Sequence, residues 1–174
     1  DKALKSAKMG FDHWKKTPPW ERSKVIRKAA DLIRENKEII AKWISLEVGK
    51  PLKESLAEVE GSAEIFEWNA EETKRIFGQN IESRFPSTRM NVYYQPIGVV
   101  AALVPWNFPC ILASRKISTA LAAGCSVICK PDTITPGSVM SLVDIINKAG
   151  FPDGAINLLS GDPAKVSEQL ISSD

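Results

Sequence analysis

Residues 97–109 read IGVVAALVPWNFP, an uninterrupted apolar run that ends in a proline-rich turn. The run from Gly98 to Val104 shows no alternation of apolar and polar positions, which is typical of a parallel strand covered on both faces. The same rhythm follows twice more, with further strands predicted at residues 126–129 and 155–159. Helices are predicted at residues 108–123, 137–149 and 163–171, the last of them capped by Asp162. The pattern predicts an α/β fold with a parallel sheet.

The first half of the chain is predicted to be helical. Apolar residues recur at helical spacing after Thr17, which we expect to cap one long helix that ends at Gly49. A second apolar stripe runs from Leu56 to Phe77 and ends at Gly78. Four tryptophans of this half are expected to pack in the core or between helices: Trp14, Trp20, Trp43 and Trp68.

A change in the spacing of apolar residues, from helical to alternating, separates the two halves of the chain. Between Ile81 and Gln95 apolar and polar residues alternate around the turn signal Phe85-Pro86-Ser87, which predicts a pair of strands. We therefore divide the chain into a helical segment at 1–80, a β-hairpin at 81–96 and a parallel-sheet unit at 97–174.

Composition excludes several classes of function. The 174 residues carry a formal charge of +2 without a basic stripe, so no nucleic-acid partner is expected, and no apolar run is long enough to span a membrane. Cys125 and Cys129 lie four apart, but the only histidine, His13, is distant in sequence, so no metal site is predicted. Three cysteines in an apolar half favour a reducing, cytoplasmic location over disulfides. The chain starts and stops within helical patterns, and we interpret it as a piece of a longer protein.

Polar residues follow each predicted strand of the parallel sheet, where such sheets bind ligands. Asn107 follows the first strand and could either serve a ligand or cap the next helix. Lys130 ends the second strand, where its ammonium could bind a ribose diol or phosphate, or simply be solvated. Gly161 follows the third strand and permits close approach of a ligand to the backbone. The chain has no GxGxxG motif, so any dinucleotide must bind in a different way.

These turns resemble the aldehyde dehydrogenase superfamily. The matching strings are IGVVAALVPWNFP, LAAGCSVICKP, TP and AGFPDGAINLLSG, in the family's order and spacing, together with EVGKPLKES in the helical half. The resemblance covers essentially the whole chain, and it implies the family's fold, with the 97–174 unit as a partial Rossmann-like NAD(P)-binding domain. The family's catalytic cysteine and glutamate have no match here, so the chain alone is expected to be inactive.

The resemblance also implies roles for individual residues. Asn107 matches the family's asparagine that donates a hydrogen bond to the developing oxyanion, and it is the one catalytic residue predicted here. The cofactor-binding residues implied are Leu103, Val104, Pro105, Trp106, Asn107, Lys130, Pro131, Asp132, Thr133 and Gly161.

One position departs from many NAD-preferring members of the family. They have a glutamate three residues after the lysine, whose carboxylate would repel a 2'-phosphate, whereas this chain has Thr133. The cofactor is therefore expected to be NADP or NAD, with NADP favoured. Asp132 is predicted to point elsewhere.

Arg115 suggests the substrate. It interrupts an otherwise small and apolar helix, so it is either exposed beside Lys116 or directed at an anion. The string from PWNFP to RK resembles the succinate-semialdehyde branch of the family, whose matching arginine binds the substrate carboxylate. This resemblance implies that Arg115 binds a small ω-oxo acid such as succinate semialdehyde.

Three hypotheses for the whole protein stay open at this point. It could be an NAD(P)-dependent aldehyde-oxidising enzyme, a nucleotide-binding module without catalysis, or a structural unit without a ligand. The enzyme hypothesis is favoured by the resemblance, which also implies a homodimer or homotetramer that assembles through a strand pair like residues 81–95. Its partner would be a small-molecule aldehyde.

Overall fold

The computed structural model describes residues 1–173. Three parallel strands form a sheet in the order β3-β4-β5. All five residues of β4 are buried, because this central strand has a neighbour on each side. The predicted α/β architecture with a parallel sheet is confirmed. The elements in chain order are α1 Lys2–Trp14, α2 Pro19–Glu35, α3 Lys37–Val48, α4 Leu52–Thr73, β1 Gln79–Ile81, β2 Met90–Val92, β3 Val99–Leu103, α5 Pro109–Ala122, β4 Ser126–Lys130, α6 Pro136–Asn147, β5 Ile156–Leu158 and α7 Pro163–Ser172.

Helices connect the strands of the sheet and cover it. Helix α5 returns the chain from β3 to β4, and α6 returns it from β4 to β5. Helix α1 also packs on the sheet, where the Ser126 hydroxyl donates to the carbonyl of Ala7 at 2.8 Å. Helix α4 packs against both α2 and α5, so it links the helical half to the sheet.

The first half is helical as predicted, but its boundaries differ. The expected long helix is two helices, because Asn36 leaves helical torsion angles (φ −110°, ψ 17°) and its side-chain amide donates to the Leu32 carbonyl at 2.8 Å. Thr17 does not cap α2, since its hydroxyl points back to the His13 carbonyl and Pro18 holds the cap position. Helix α4 ends at Thr73, earlier than expected.

The prediction for the tryptophans is correct only for Trp14. Its side chain is 1% exposed, its indole N–H donates to the Leu121 carbonyl at 2.8 Å, and its ring packs edge-on against Phe151. Trp20, Trp43 and Trp68 are 67%, 45% and 68% exposed. The helical period fixes which residues share a face, whereas exposure depends on which faces the fold covers.

Strands β1 and β2 pair antiparallel, with Gln79 opposite Val92 and Ile81 opposite Met90. The predicted strand pair is therefore present, although each strand has only three residues. Most of its residues are exposed. The division of the chain at residues 80 and 96 stays a prediction.

Within residues 1–173, no helix is both long and apolar enough to cross a membrane.

Candidate functional site

The three turns singled out in the sequence follow the same edge of the sheet. Leu103 at the end of β3 pairs with Lys130 at the end of β4, and Leu158 at the end of β5 lies beside Cys129. The amide of Val104 extends this edge by donating to the Lys130 carbonyl at 3.0 Å. Asn107, Lys130 and Gly161 thus belong to adjacent strand ends, where parallel sheets bind ligands.

The turn after β3 presents Asn107 to solvent. Val104 is buried, whereas Pro105, Trp106, Asn107 and Phe108 are exposed. Phe108, not Asn107, occupies the N-cap position of α5, and the Phe108 side chain makes no capping hydrogen bond. Among residues 1–173 the Asn107 side chain makes no hydrogen bond, so its amide is available to a ligand.

Two charged residues of the helical half hold this turn. The side chain of Glu58, on α4, is 1% exposed and accepts from the amides of Cys110 at 2.9 Å and Ile111 at 3.3 Å. Lys50, just before α4, donates to Glu58 at 2.7 Å and to the Asn107 carbonyl at 3.1 Å. The backbone on both sides of Phe108 is therefore attached to a separate part of the fold.

A third charged residue holds the start of the same turn. Lys116, on α5, donates to the Leu103 carbonyl at 2.5 Å. This bond and the Lys50 bond to the Asn107 carbonyl lie on either side of the three residues Val104, Pro105 and Trp106. The turn is consequently fixed at both ends by side-chain ammonium groups.

Lys130 lies in a different environment. It is 6% exposed and has no ion pair or hydrogen bond from its ammonium within the described chain. The side chain is mostly covered, but its ammonium is not among the fully buried unpaired atoms, so it can donate to an oxygen-rich ligand at the surface. The neighbouring Asp132 does not neutralise it, because its carboxylate accepts from the Ile134 amide at 3.1 Å within its own turn. Thr133 is exposed next to this turn, and Pro131 is buried.

The helices that follow the three strands all begin at a carboxylate. Glu58 binds amides at the start of α5, Glu47 binds the amides of Gly137 and Ser138 at 2.6 and 2.8 Å at the start of α6, and Asp162 caps α7. A helix N-terminus attracts anions because its amides are unpaired and its dipole is positive there. These three termini are already occupied by side chains, so they do not offer a phosphate site. This agrees with the absence of a glycine-rich phosphate motif from the sequence.

Arg115 lies on α5 with its side chain exposed. It lines an open, mainly apolar cavity of about 480 Å³ between α5 and β3, together with Gln95, Ile97, Val100 and Thr119. Its guanidinium has no ion pair among the described residues. The exposed position leaves both sequence interpretations, solvation and anion binding, consistent with the structure.

The three cysteines are poor candidates for a nucleophile. All are free and buried. Burial, reinforced by the charges of Glu58 and Glu47, raises the pKa of the Cys110 thiol well above its usual value, and burial raises that of Cys129 to about 12. A thiol must ionise to attack, so the raised pKa disfavours Cys110 and Cys129 as nucleophiles, and Cys125 is disfavoured by its burial. In the described residues, no group of three or more His, Cys, Asp or Glu could hold a metal ion.

A parallel sheet with helices between its strands and polar turns along its carboxyl edge is an α/β architecture, and α/β proteins bind ligands at that edge. The model of the aldehyde dehydrogenase family matches residues 1–174, and the chain belongs to this family.

Individual relatives agree with this assignment. The chain is 43% identical over 171 residues to a 4-(hydroxymethyl)benzenesulfonate dehydrogenase of Comamonas testosteroni, covering 98% of this chain and 36% of that protein. It is 40% identical over 174 residues to the succinate semialdehyde dehydrogenase of Acinetobacter baylyi, covering 100% of this chain and 36% of that protein. An NADP-dependent enzyme of Escherichia coli has a similar structure, with a TM-score of 0.96, 38% identity and coverage of 98% and 36%. The chain thus spans about a third of the length of these relatives.

Sequence reasoning missed Lys50, Glu58, Glu47 and Lys116. Lys50 appears in the sequence only within the EVGKPLKES string, where no pattern marks its contact. Glu58 did give a signal, because it shares a helix face with Ser55, Val59 and Ser62, all of which are buried. A carboxylate on a buried face needs a partner, and the partners are here backbone amides more than 50 positions away.

Proposed function

We propose that the protein containing this chain oxidises an aldehyde to a carboxylic acid with NADP or NAD, and that residues 1–174 supply part of its cofactor site and its oxyanion donor. One observation supports this most directly. Lys130, whose ammonium has no partner among the described residues, and a solvent-facing Asn107 amide lie at adjacent strand ends at one edge of the sheet. Both groups can donate hydrogen bonds to a ligand there.

The residues at this edge fit a dinucleotide whose ribose lies near Lys130. The lone ammonium can donate to ribose hydroxyls, and the exposed Thr133 leaves room beside them without adding a charge. Val104 and Pro105, with the half-exposed Trp106, would form the wall of the groove, and Gly161 would lie near the adenine. Because no acidic side chain other than the internally bonded Asp132 lies in this turn, NADP is favoured over NAD.

The chain contributes to the chemistry by positioning and by charge stabilisation. A bound nicotinamide cofactor would supply the acceptor for the hydride that leaves the substrate carbon. The Asn107 amide donates a hydrogen bond to the substrate oxygen while that oxygen becomes negative, and a donor fixed in advance is worth roughly 3 to 4 kcal/mol. Residues 1–174 alone are expected to be inactive, because all three cysteines are buried and burial raises the pKa of the Cys110 and Cys129 thiols.

The substrate is proposed to be a small aldehyde that carries an anionic group, with succinate semialdehyde as the first choice. Arg115 is exposed without an ion pair and lines a cavity that is otherwise mainly apolar. A guanidinium in such surroundings is suited to a carboxylate, which it can bind through two hydrogen bonds. Two relatives are named for anionic substrates, one a semialdehyde of succinate and the other a benzenesulfonate.

The proposal extends to assembly and location. We infer a homodimer or homotetramer in which the exposed β1–β2 pair meets its counterpart, and a cytoplasmic location. Strands with exposed edges and apolar residues such as Ile81 and Met90 favour pairing with another chain.

The deciding experiment measures reduction of NADP and NAD by the full-length protein with succinate semialdehyde, an aromatic aldehyde sulfonate and butanal. We expect kcat/KM to be highest with succinate semialdehyde and NADP. Activity with butanal alone would contradict the anionic substrate. No reduction with any aldehyde, despite cofactor binding by calorimetry, would favour the non-catalytic nucleotide-binding module.

A further inference from the structure

The oxyanion turn has few internal restraints, although Asn107 must be placed accurately if it is to act. Its residues 105–108 are exposed. A misplacement of about 1 Å at a reacting group can cost roughly 100-fold in rate. Something outside the turn must therefore fix the Asn107 backbone.

Lys50 and Glu58 form an ion pair that reaches this backbone directly. Their side chains are 11% and 1% exposed, and the ammonium and carboxylate are 2.7 Å apart. The same ammonium donates to the Asn107 carbonyl at 3.1 Å and lies 4.0 Å from the centre of the Phe108 ring. The other carboxylate oxygen accepts from the Cys110 and Ile111 amides. Apart from their own ion pair, the hydrogen bonds and the ring contact of these two side chains in residues 1–173 all fall on residues 107–111.

Stability alone is a weak reason for such a pair. Removing two charges from water costs about as much as their attraction returns, so well-packed apolar residues often stabilise a fold equally well. What an ion pair adds over apolar packing is direction. A bond to the Asn107 carbonyl orients the peptide plane that follows its Cα, while the Glu58 bonds fix the first turn of α5.

We propose that Lys50 and Glu58 are positioning residues that hold the Asn107 amide where the oxyanion forms. This inference rests on the proposed role of Asn107 as the oxyanion donor. Neither residue need touch the substrate or the cofactor. Lys50 acts through the Asn107 carbonyl, and Glu58 acts by holding Lys50 and the start of α5.

The test is a double-mutant cycle in the full-length protein. Lys50→Met removes the ammonium but keeps a side chain of similar length. We expect it to lower kcat about tenfold in a chain that has Asn107, and less than twofold in the Asn107→Ala background, because a donor that is absent cannot be misplaced. The dissociation constant of NADP should change less than twofold in both backgrounds.

Two further variants keep the test decisive. Lys50→Met leaves the Glu58 carboxylate buried without a cation, which can impair folding. The pair Lys50→Met with Glu58→Gln removes both charges and retains an oxygen that can accept from the Cys110 amide, and it should show the same dependence on Asn107. Lys53→Met is the matched control, because Lys53 is an exposed lysine three residues after Lys50, in the first turn of α4, and it should leave kcat unchanged.

The outcomes separate the two proposals. A loss that disappears in the Asn107→Ala background supports positioning. An equal loss in both backgrounds, or no loss at all in Lys50→Met, would overturn the positioning role and leave the proposed function intact. Wild-type turnover in Asn107→Ala itself would overturn the role of Asn107 and this inference with it.

Discussion

The turn after β3 and the turn after β4 lead into their helices in the same way. Each helix starts with a proline, Pro109 in α5 and Pro136 in α6, which suits a position whose amide would be unpaired. In each, the next two amides are bound by a glutamate of the helical half, Glu58 for α5 and Glu47 for α6. At the N-terminus of each helix, backbone amides therefore donate hydrogen bonds to a carboxylate that is distant in sequence.

The two turns differ in how their own residues are held. In the first, the ammonium groups of Lys50 and Lys116 bind backbone carbonyls of Asn107 and Leu103. In the second, the restraints are internal, because the carboxylate and the carbonyl of Asp132 accept from the amides of Ile134 and Thr135. Glu47, whose carboxylate binds the start of α6, has no ion pair in the described part of the chain, unlike Glu58.

This difference matches the tasks proposed for the two turns. A group that stabilises a transition state must be fixed before the reaction, whereas a group that binds a ribose can adjust to its ligand. Substitutions in the first turn should therefore affect turnover, and those in the second should affect cofactor affinity.

The largest effect is expected from Asn107→Ala. Turnover should fall about 100-fold, which corresponds to about 2.7 kcal/mol, because the oxyanion loses its side-chain donor. The dissociation constant of the cofactor should change little. Steady-state kinetics and cofactor titration of the full-length variant provide the measurement. Asn147→Ala, at the exposed C-terminal end of α6, is the control. A turnover near wild type for Asn107→Ala would contradict the different roles proposed for the two turns.

A smaller effect, confined to one substrate, is expected from Arg115→Ala. It should lower kcat/KM for succinate semialdehyde at least tenfold, about 1.4 kcal/mol, and leave butanal almost unaffected, because only the acid loses a charged hydrogen bond. Arg115→Lys keeps the charge but loses the paired N–H donors. Its kcat/KM for succinate semialdehyde should therefore lie between those of the wild type and of Arg115→Ala. Equal losses on both aldehydes would show that Arg115 supports α5 and does not bind the substrate.

The smallest effect is expected in the second turn, from Thr133→Glu. A carboxylate beside the 2'-phosphate should raise the dissociation constant of NADP roughly fivefold relative to NAD, and less at high salt, because the position is exposed and screened. Isothermal titration with both cofactors measures this difference.

Two further variants serve as comparisons for Thr133→Glu in the same titration. Thr133→Gln introduces a similar side chain without the charge and should not discriminate between the cofactors. Lys130→Ala should weaken both alike, since the ribose hydroxyls that it is proposed to bind are near the same position in each. Equal losses with Thr133→Glu would end the argument for NADP.

The parallel sheet could be predicted from the sequence because its signals are local. Continuous apolar strands, glycines after α5 and α6, and prolines at helix starts each act within a few residues, and the predicted strands and helices of residues 97–173 agree with the observed ones to within about two positions. The cap at Asp162 was also predicted, since it binds amides only two and three residues away.

The parts that could not be predicted depend on distant contacts. Which face of a helix is covered decides the exposure of Trp20, Trp43 and Trp68, and no local pattern records it. The partners of Glu58 lie 52 and 53 positions away, so the sequence shows a carboxylate on an apolar face without showing what it binds. For the same reason the sequence does not predict the contacts of Lys50 and Glu58 that hold Asn107, although it does predict Asn107 itself as a site residue.

The Lys50 ammonium and the Asn107 carbonyl are 57 positions apart in the chain. The strand, the proline-rich turn and α5 can form from nearby residues, but this bond closes only when α4 has packed against α5. Contacts between distant positions form against a greater loss of chain entropy than contacts between neighbours. The shape of the loop therefore depends on the docking of α4, because a chain with α4 undocked would contain the PWNFP sequence without the bond that orients Asn107.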